Sequence, residues 1–153
     1  MKNIKNILVI CTGNSCRSIM AEAYMKKRLA EEGLDINVFS AGTLGVDGMK
    51  PPQETVKMLE SIDVDPSGYE STALSAALAN KADLILVMEP HHAESVKDIS
   101  PENAHKTVYL KEFDREPGDI SIPDPIGRPL AFYRVSFGII KNSVEGLVEW
   151  LKK

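Results

Sequence analysis

Cysteine is scarce in this chain, and long apolar runs are absent. Cys11 and Cys16 are the only two cysteines among 153 residues, whereas a small secreted scaffold carries more of them, spread along the chain. We therefore expect reduced thiols and a cytoplasmic location. No apolar stretch approaches the ~20 residues that a membrane helix needs, and residues 1–10 lack the pattern of a signal peptide. The sequence thus predicts no membrane partner.

The chain also lacks a large excess of charge of either sign. The formal net charge is -4 and the isoelectric point is about 5.4, which argues against the basic face of a general nucleic-acid binder. Hydrophobic residues make up 43% of the chain, enough for a core without metal or disulfide support. We expect one domain, over residues 1–153.

Short apolar runs alternate with helical patterns along the chain. The runs predict strands over residues 6–10, 36–40, 82–88 and 107–110. Helical composition or spacing predicts helices over 17–34, 52–62, 73–79, 91–99 and 131–152, and a segment rich in proline, glycine and aspartate predicts a long loop over 113–128. The alternation indicates an α/β fold, a doubly wound four-stranded parallel sheet with helices on both faces. Ligands of such sheets bind at the carboxyl ends of the strands.

The segment CTGNSCRS, residues 11–18, leaves the first strand and opens the first helix. The backbone amides of such a turn can form an anion-binding nest, and the helix N-terminus adds unpaired N–H groups. We predict a phosphate-binding loop here, formed by Thr12, Gly13, Asn14, Ser15, Cys16, Arg17 and Ser18. A nucleotide-binding P-loop is excluded because the chain has no Gly-Lys-Ser/Thr at this position.

Three side chains of this loop suit phosphoryl transfer. Cys11 ends the strand, where nearby cations and a helix N-terminus favour the nucleophilic thiolate. The planar guanidinium of Arg17 can bind two phosphate oxygens at once. Ser18 can donate a hydrogen bond to the sulfur and ease its departure from a phosphocysteine intermediate. Each residue alone is more often packing or surface charge, but the combination at a strand-to-helix turn indicates catalysis.

The same segment resembles the phosphate-binding loop of the low-molecular-weight protein tyrosine phosphatases, Cys-x5-Arg-Ser/Thr. Cys11, Arg17 and Ser18 match the pattern, and so do Gly13, Asn14, Cys16 and residues 20–22. The sequence SAGT at residues 40–43 is similar to the family's second-strand end. The resemblance implies that Ser40 is hydrogen-bonded to Asn14, and it extends over essentially the whole chain.

The long loop offers a general acid. Asp124 lies between two prolines, which restrict the backbone and hold the carboxyl in place. The Asp-Pro pair resembles the family's general acid, which implies that Asp124 protonates the leaving group and later deprotonates water. Asp114 and Asp119 lack this framing, and we interpret them as solvated loop charges.

Two departures from the family pattern bear on the substrate. Ile126 stands where the family usually has an aromatic residue beside the phosphotyrosine ring. Ser15 replaces a larger apolar residue and resembles the threonine of the protein arginine phosphatase branch. The related thioredoxin-coupled arsenate reductases share this loop but need two further cysteines, and the chain has none beyond Cys16.

The sequence therefore predicts a cysteine-dependent phosphatase that acts on phosphotyrosine in proteins, with protein arginine phosphatase as the alternative. A non-catalytic anion-binding or redox-sensing module is a more remote alternative, because a binder has no need of an acid.

We expect a phosphorylated protein substrate, inorganic phosphate or a similar oxyanion in the loop, and no cofactor or metal. His91 and His92 are interpreted as solvated. Cys16 either forms a reversible disulfide with Cys11 or is a small packing residue.

Overall fold

A four-stranded parallel sheet forms the centre of the computed structural model, which describes residues 2–116 and 118–153. The strands are β1 (Asn6–Cys11), β2 (Asn37–Gly42), β3 (Leu84–Val87) and β4 (Thr107–Tyr109), in the spatial order β2-β1-β3-β4. All three pairings are parallel, and the predicted fold class is confirmed. Met1, at the start of the predicted domain, and Pro117, within the predicted long loop, lie outside the described residues.

In the part of the chain that the structure describes, five α-helices connect or follow the strands: α1 (Arg17–Glu31), α2 (Gln53–Glu60), α3 (Ala76–Lys81), α4 (Pro90–Ile99) and α5 (Leu130–Lys152). Four lie close to their predicted positions. The third was predicted over 73–79 and begins later, because the Ser75 hydroxyl accepts a hydrogen bond from the Leu78 amide and caps it. Ala73 instead forms a bridge with Gly42.

Apolar side chains fill both faces of the sheet. On one face, alternate residues of β1, including Ile7 and Val9, pack with α1, α2 and α5. On the other face, Leu8 and Ile10 pack with α3 and α4, which contribute Ala79 and Val96. Because successive strand residues point to opposite faces, a continuous apolar run serves both cores. Every residue of Ile7–Ile10 is fully buried.

Short 3₁₀ segments at Pro66–Gly68, Pro101–Lys106 and Leu110–Phe113 were not predicted from the sequence. The last of them runs from Leu110, the final residue of the predicted fourth strand, to Phe113, the first residue of the predicted long loop. Among the described residues, none of the helices has the length and apolar character to cross a membrane.

The carboxyl ends of β1 and β3 lie side by side, because Ile10 is paired with Val87. The segments that follow these ends, residues 11–18 and 88–92, therefore meet at one edge of the sheet. Ile122 joins them there from the long loop, since its amide donates to the Met88 carbonyl at 3.0 Å. This edge brings together residues that are far apart in the sequence.

Candidate active site

Cys11 is the last residue of β1, and its side chain is buried at the base of the following loop. Its sulfur lies 3.0 Å from the Ser18 hydroxyl oxygen. Ser18 is itself in the first turn of α1, which begins at Arg17. The unpaired amides and the positive end of the helix dipole therefore lie beside the sulfur, an arrangement that favours an anion.

Asn14 holds the loop in shape from inside. It has a positive φ of 50°, a backbone conformation that asparagine tolerates better than most residues. Its fully buried side chain accepts from the Thr72 amide at 2.9 Å and donates to Ser40 Oγ at 3.0 Å. The latter is the contact that the resemblance implied. A third bond runs from Asn14 Nδ2 to Ser18 Oγ at 2.6 Å.

These bonds fix where the Ser18 proton points. Since the Asn14 amide nitrogen can only donate, Ser18 Oγ accepts from it, and the Ser18 hydroxyl proton is left for the Cys11 sulfur. On the other side, Ser40 donates its own proton to the Glu22 carboxylate. Ser40 therefore also accepts from Asn14, and the orientation of the amide is set from both ends.

Gly42, at the end of β2, lets the loop pack against the sheet. A Cβ at this position would lie 2.7 Å from the Thr12 carbonyl oxygen and 2.9 Å from the Asn14 amide nitrogen. Neither backbone atom can give way without moving the loop, so glycine is required by the close approach.

Arg17 is almost completely buried, with a side-chain exposure of 1%. Its Nη1 donates to Glu89 Oε2 at 2.7 Å and to the Ile122 carbonyl at 2.8 Å. Its Nη2 lies 3.4 Å from Asp124 Oδ2 and 3.4 Å from Thr12 Oγ1. Burial opposes ionisation of Glu89, but the hydrogen bond and charge of Arg17 outweigh it and hold the pKa of that carboxyl below its usual value. The guanidinium is thus fixed between the loop and two acidic groups.

His92 is fully buried, so the interpretation of both adjacent histidines as solvated was wrong for this one. His91 is exposed, as expected. The Nδ1 atom of His92 lies 3.3 Å from the Met88 amide and 3.1 Å from the Glu89 amide, and its Nε2 lies 3.0 Å from Thr12 Oγ1. Burial, reinforced by the positive charge of Arg17, lowers the pKa of His92 to about 3. The imidazole is therefore neutral at physiological pH.

Glu89, His91 and His92 are close enough to resemble a metal site, with ligand atoms within 4.8 Å of one another. Both nitrogens of His92 are already hydrogen-bonded, and the Glu89 carboxylate is bound to Arg17. A metal ion would have to break these contacts beside a buried cation, so the cluster suits the ion pair better than a metal.

Asp124 lies at the mouth of the site, with its side chain about one-third exposed, at 36%. Oδ1 accepts from the Ile126 amide at 3.1 Å, which leaves Oδ2 facing Arg17. The chain just before it is anchored, because Ile122 is buried and the Ser136 hydroxyl donates to the Pro123 carbonyl at 2.9 Å. The segment that carries the carboxyl is thus held by α5 and by Met88, the residue after β3.

The two other aspartates of this segment differ from each other. Asp119 is exposed and accepts from the Ser121 amide, which fits the prediction of a solvated loop charge. Asp114 does not fit it, because its side chain is only 5% exposed and is paired with Lys111 at 3.2 Å. Asp114 is therefore a structural ion-pair residue.

One cavity of about 220 Å³ joins these groups. Its floor and walls come from the loop, and Asp124 lies on its rim; Leu44, Met49 and Ile126 also line it. All three apolar residues are more than half exposed. The cavity therefore has a base formed by the loop and an aliphatic entrance.

Cys16 is buried against α5, with its sulfur 3.6 Å from the Tyr133 hydroxyl and 3.6 Å from Ser15 Oγ. Burial raises the pKa of its thiol. Cys16 therefore stays protonated at neutral pH, and a thiol is less reactive than a thiolate. Both cysteines are free thiols.

The sequence did not identify four residues as parts of the site: Glu89, His92, Thr72 and Gly42. A signal existed for Glu89, since it follows a predicted buried strand and so lies at the carboxyl edge of the sheet. Nothing in the local sequence distinguished His92 from His91, and Thr72 contributes only a backbone amide.

A family model described as low molecular weight phosphotyrosine protein phosphatase matches residues 6–153. A low molecular weight protein-tyrosine-phosphatase of Acinetobacter johnsonii is 32% identical over 148 residues, which cover 97% of this chain and 96% of that protein. A protein-arginine-phosphatase of Bacillus subtilis is also 32% identical, over 149 residues and 97% of both chains. The structure is similar to the tyrosine phosphatase Wzb from Escherichia coli K30 in complex with sulphate, with a TM-score of 0.87, 28% identity, and coverage of 97% of this chain and 99% of that chain.

Proposed function

The chain belongs to the low molecular weight phosphotyrosine protein phosphatase family, and we propose that it hydrolyses phosphotyrosine in proteins through a phosphocysteine intermediate on Cys11. The observation that supports this proposal is the shared cavity, which is lined by Cys11, Arg17 and Asp124. A nucleophile, a cation and an acid at one helix N-terminus are what phosphoryl transfer to sulfur needs.

In the first step the Cys11 thiolate attacks phosphorus, the sulfur–phosphorus bond forms and the bond to the leaving oxygen breaks. Asp124 gives its proton to that oxygen. The loop amides of residues 12–18 and Arg17 bind the equatorial oxygens and stabilise their charge. Glu89 holds Arg17 Nη1 at 2.7 Å, and this contact limits the rotation of the guanidinium about the site.

In the second step water attacks the phosphocysteine. Asp124 takes a proton from this water, the sulfur–phosphorus bond breaks, and inorganic phosphate and the Cys11 thiolate are released. The Ser18 hydroxyl, 3.0 Å from the sulfur, stabilises the departing thiolate by donating a hydrogen bond to it.

Phosphoarginine is the second candidate substrate, and two residues of the cavity favour it. Ser15 gives the wall a small hydroxyl, and Ile126 gives the rim an aliphatic side chain where an aromatic would flank a tyrosine ring. The Bacillus subtilis relative bears the name of this activity. The leaving guanidine is basic and departs poorly without a proton, which Asp124 can supply.

Comparison of the two substrates tests the proposal. Purified protein is given one carrier protein phosphorylated on tyrosine or on arginine, and phosphate release is measured at matched concentrations. We expect faster turnover of phosphotyrosine and no turnover of either by Cys11→Ser, whose hydroxyl is a far poorer nucleophile at neutral pH. A higher kcat/KM for phosphoarginine would assign the chain to the arginine branch. Turnover by folded Cys11→Ser would overturn the covalent mechanism.

The domain organisation, location and binding partners of the enzyme belong to the same proposal. Residues 1–153 act as one phosphatase domain in the cytoplasm, on phosphorylated protein substrates, and inorganic phosphate or a similar oxyanion occupies the loop as product or inhibitor. The scarcity of cysteine supports the reducing compartment, and the match to the family from residue 6 to residue 153 supports the single domain.

A further inference from the structure

His92 joins two segments that build the active site but are 80 positions apart in the sequence. Its ring lies between the turn after β3 and the phosphate-binding loop after β1, and it is fully buried. A buried imidazole with three polar contacts has more than a packing role, because each contact restricts its proton and its orientation.

The contacts define which nitrogen carries the proton. Two backbone amides, of Met88 and Glu89, point at Nδ1. An amide can only donate, so Nδ1 is the acceptor and has no hydrogen. The neutral ring therefore carries its proton on Nε2 and donates it to Thr12 Oγ1 at 3.0 Å.

Thr12 receives a second donor as well, since Arg17 Nη2 lies 3.4 Å from the same hydroxyl oxygen. A hydroxyl has two acceptor lone pairs and one proton. His92 and Arg17 both donate to Thr12, and neither accepts from it. The Thr12 proton is therefore available to a third group. Thr12 lines the cavity in which the phosphate-binding loop lies, and an oxyanion there accepts such a proton.

We propose that His92 is a positioning residue, which directs the Thr12 hydroxyl proton toward the oxyanion bound in the loop. The inference rests on the proposed phosphatase function, since it assigns the oxyanion to the phosphoryl group of the substrate. His92 touches no substrate itself. It acts through Thr12, and its Nδ1 keeps the turn that carries Glu89 in register with the loop.

Two substitutions at His92 test the roles of the two ring nitrogens separately. In His92→Gln the side-chain amide nitrogen reaches about as far as Nε2 and keeps a donor for Thr12. In His92→Asn the amide oxygen lies near the Nδ1 position and keeps an acceptor for the backbone amides, but no donor reaches Thr12. His105 is exposed on the 3₁₀ segment Pro101–Lys106, so His105→Gln and His105→Asn are matched controls.

The primary readout is the affinity for inorganic phosphate, measured by calorimetry on the intact protein, because it does not depend on turnover. We expect His92→Asn to weaken phosphate binding roughly tenfold, the value of a hydrogen bond to a charged group. KM should rise by a similar factor while kcat changes less, because the hydroxyl contacts the phosphoryl oxygens before and during the reaction. His92→Gln should retain most of the affinity, and both His105 variants should match the wild type.

Thr12→Val keeps the test decisive if a change at the buried histidine prevents folding. It removes the hydroxyl at nearly constant shape and should reproduce the loss in phosphate affinity, whereas Thr12→Ser should not. The combination of Thr12→Val with His92→Asn should cost no more than either change alone, since both remove the same bond.

Three results would overturn the inference: unchanged phosphate affinity in Thr12→Val, equal losses in His92→Asn and His92→Gln, or full additivity in the double variant. Failure of the proposed function looks different. In that case the wild-type protein releases no phosphate from either phosphoprotein, whatever the behaviour of the His92 variants.

Discussion

The Ser18 hydroxyl oxygen lies 3.0 Å from the Cys11 sulfur and accepts a hydrogen bond from Asn14 at 2.6 Å. The two contacts together leave the Ser18 proton pointing at the sulfur. Such a donor stabilises a thiolate more than a thiol. Its effect is therefore largest when the sulfur departs from phosphorus.

Ser18→Ala should slow the hydrolysis of the phosphocysteine more than its formation. A hydrogen bond to a charged group contributes about 1.5–3 kcal/mol, so the second step should slow by about 10- to 100-fold. Rapid mixing with p-nitrophenyl phosphate should then show a burst of nitrophenolate followed by a slow steady rate. An unchanged kcat without a burst would show that Ser18 only supports the loop.

Arg17→Lys should lower kcat by about 10²–10³-fold, the usual cost of losing one donor to a transition-state oxyanion. The charge is kept, but an ammonium cannot make two parallel contacts with the equatorial oxygens and also keep both Glu89 and Ile122 as partners. The measurement is steady-state hydrolysis of an aryl phosphate, with circular dichroism as the control for folding.

The assignment of Arg17 as the main stabilising charge has a second check. Treatment with EDTA should leave the wild-type rate unchanged. If EDTA removed activity and magnesium or zinc restored it, a metal ion would have to share that role, and Arg17 would be a structural residue.

Local sequence carried enough information for the sheet and for the loop between β1 and α1. The apolar run ending at Cys11 predicted a buried strand, and the polar turn before Arg17 predicted the start of a helix; both are present. These features depend on neighbours in the chain, which a sequence pattern records directly.

Partners distant in the sequence were not predictable in this way. The bond from Arg17 to Glu89 spans 72 positions and that from Thr12 to His92 spans 80. Both depend on the pairing of β1 with β3, which only the folded sheet supplies. For the same reason His92 was mistaken for a solvated residue, since adjacent histidines on a short helix give no sign of which one faces the core.

Stability should fall as the pH decreases from about 6.5 to about 5, and His92 should cause part of the fall. Burial and the charges of Arg17 and His91 lower its pKa to about 3, against the opposing Glu89 carboxylate, whereas the ordinary value is 6.5. Between these values the unfolded chain binds a proton that the folded protein does not, so acid favours unfolding. Carboxylates with lowered pKa values act in the same direction, but at lower pH.

Thermal unfolding midpoints of wild type and His92→Gln, measured across this interval, test the assignment. The curve of the variant should be flatter, because glutamine does not titrate, while His105→Gln should remain parallel to the wild type. Parallel curves for all three proteins would mean that His92 does not keep its proton affinity low in the folded state.

Ile126→Tyr should favour phosphotyrosine over phosphoarginine. Ile126 is 52% exposed on the rim of the cavity, so an aromatic ring can replace it without disturbing the core. Stacking on the substrate ring contributes about 0.5–1.5 kcal/mol, which predicts a rise in kcat/KM of about 2- to 10-fold for a phosphotyrosine peptide. Ile120, exposed in the same segment, provides the control Ile120→Tyr. Equal gains on both substrates would show that the rim does not select the leaving group.

Asp124→Asn should slow the chemical step by about 10²–10⁴-fold, the range for a positioned acid, with little change in substrate binding. Asp124 Oδ2 lies 3.4 Å from Arg17 Nη2. Asparagine keeps the shape of the side chain, but its amide has no acidic proton to transfer to the leaving group.

The loss in Asp124→Asn should depend on the leaving group. Nitrophenolate departs readily without a proton, so p-nitrophenyl phosphate should suffer less than phenyl phosphate, and phosphoarginine should suffer most. A plot of log kcat against leaving-group pKa should therefore be steeper for the variant than for the wild type.

Asp119→Asn is a matched control, because Asp119 is exposed and its Oδ1 likewise accepts from the amide two residues further along the chain. This control should leave the slope unchanged. Equal slopes for wild type and Asp124→Asn would reduce Asp124 to a turn residue. The acid would then have to be sought elsewhere on the cavity rim.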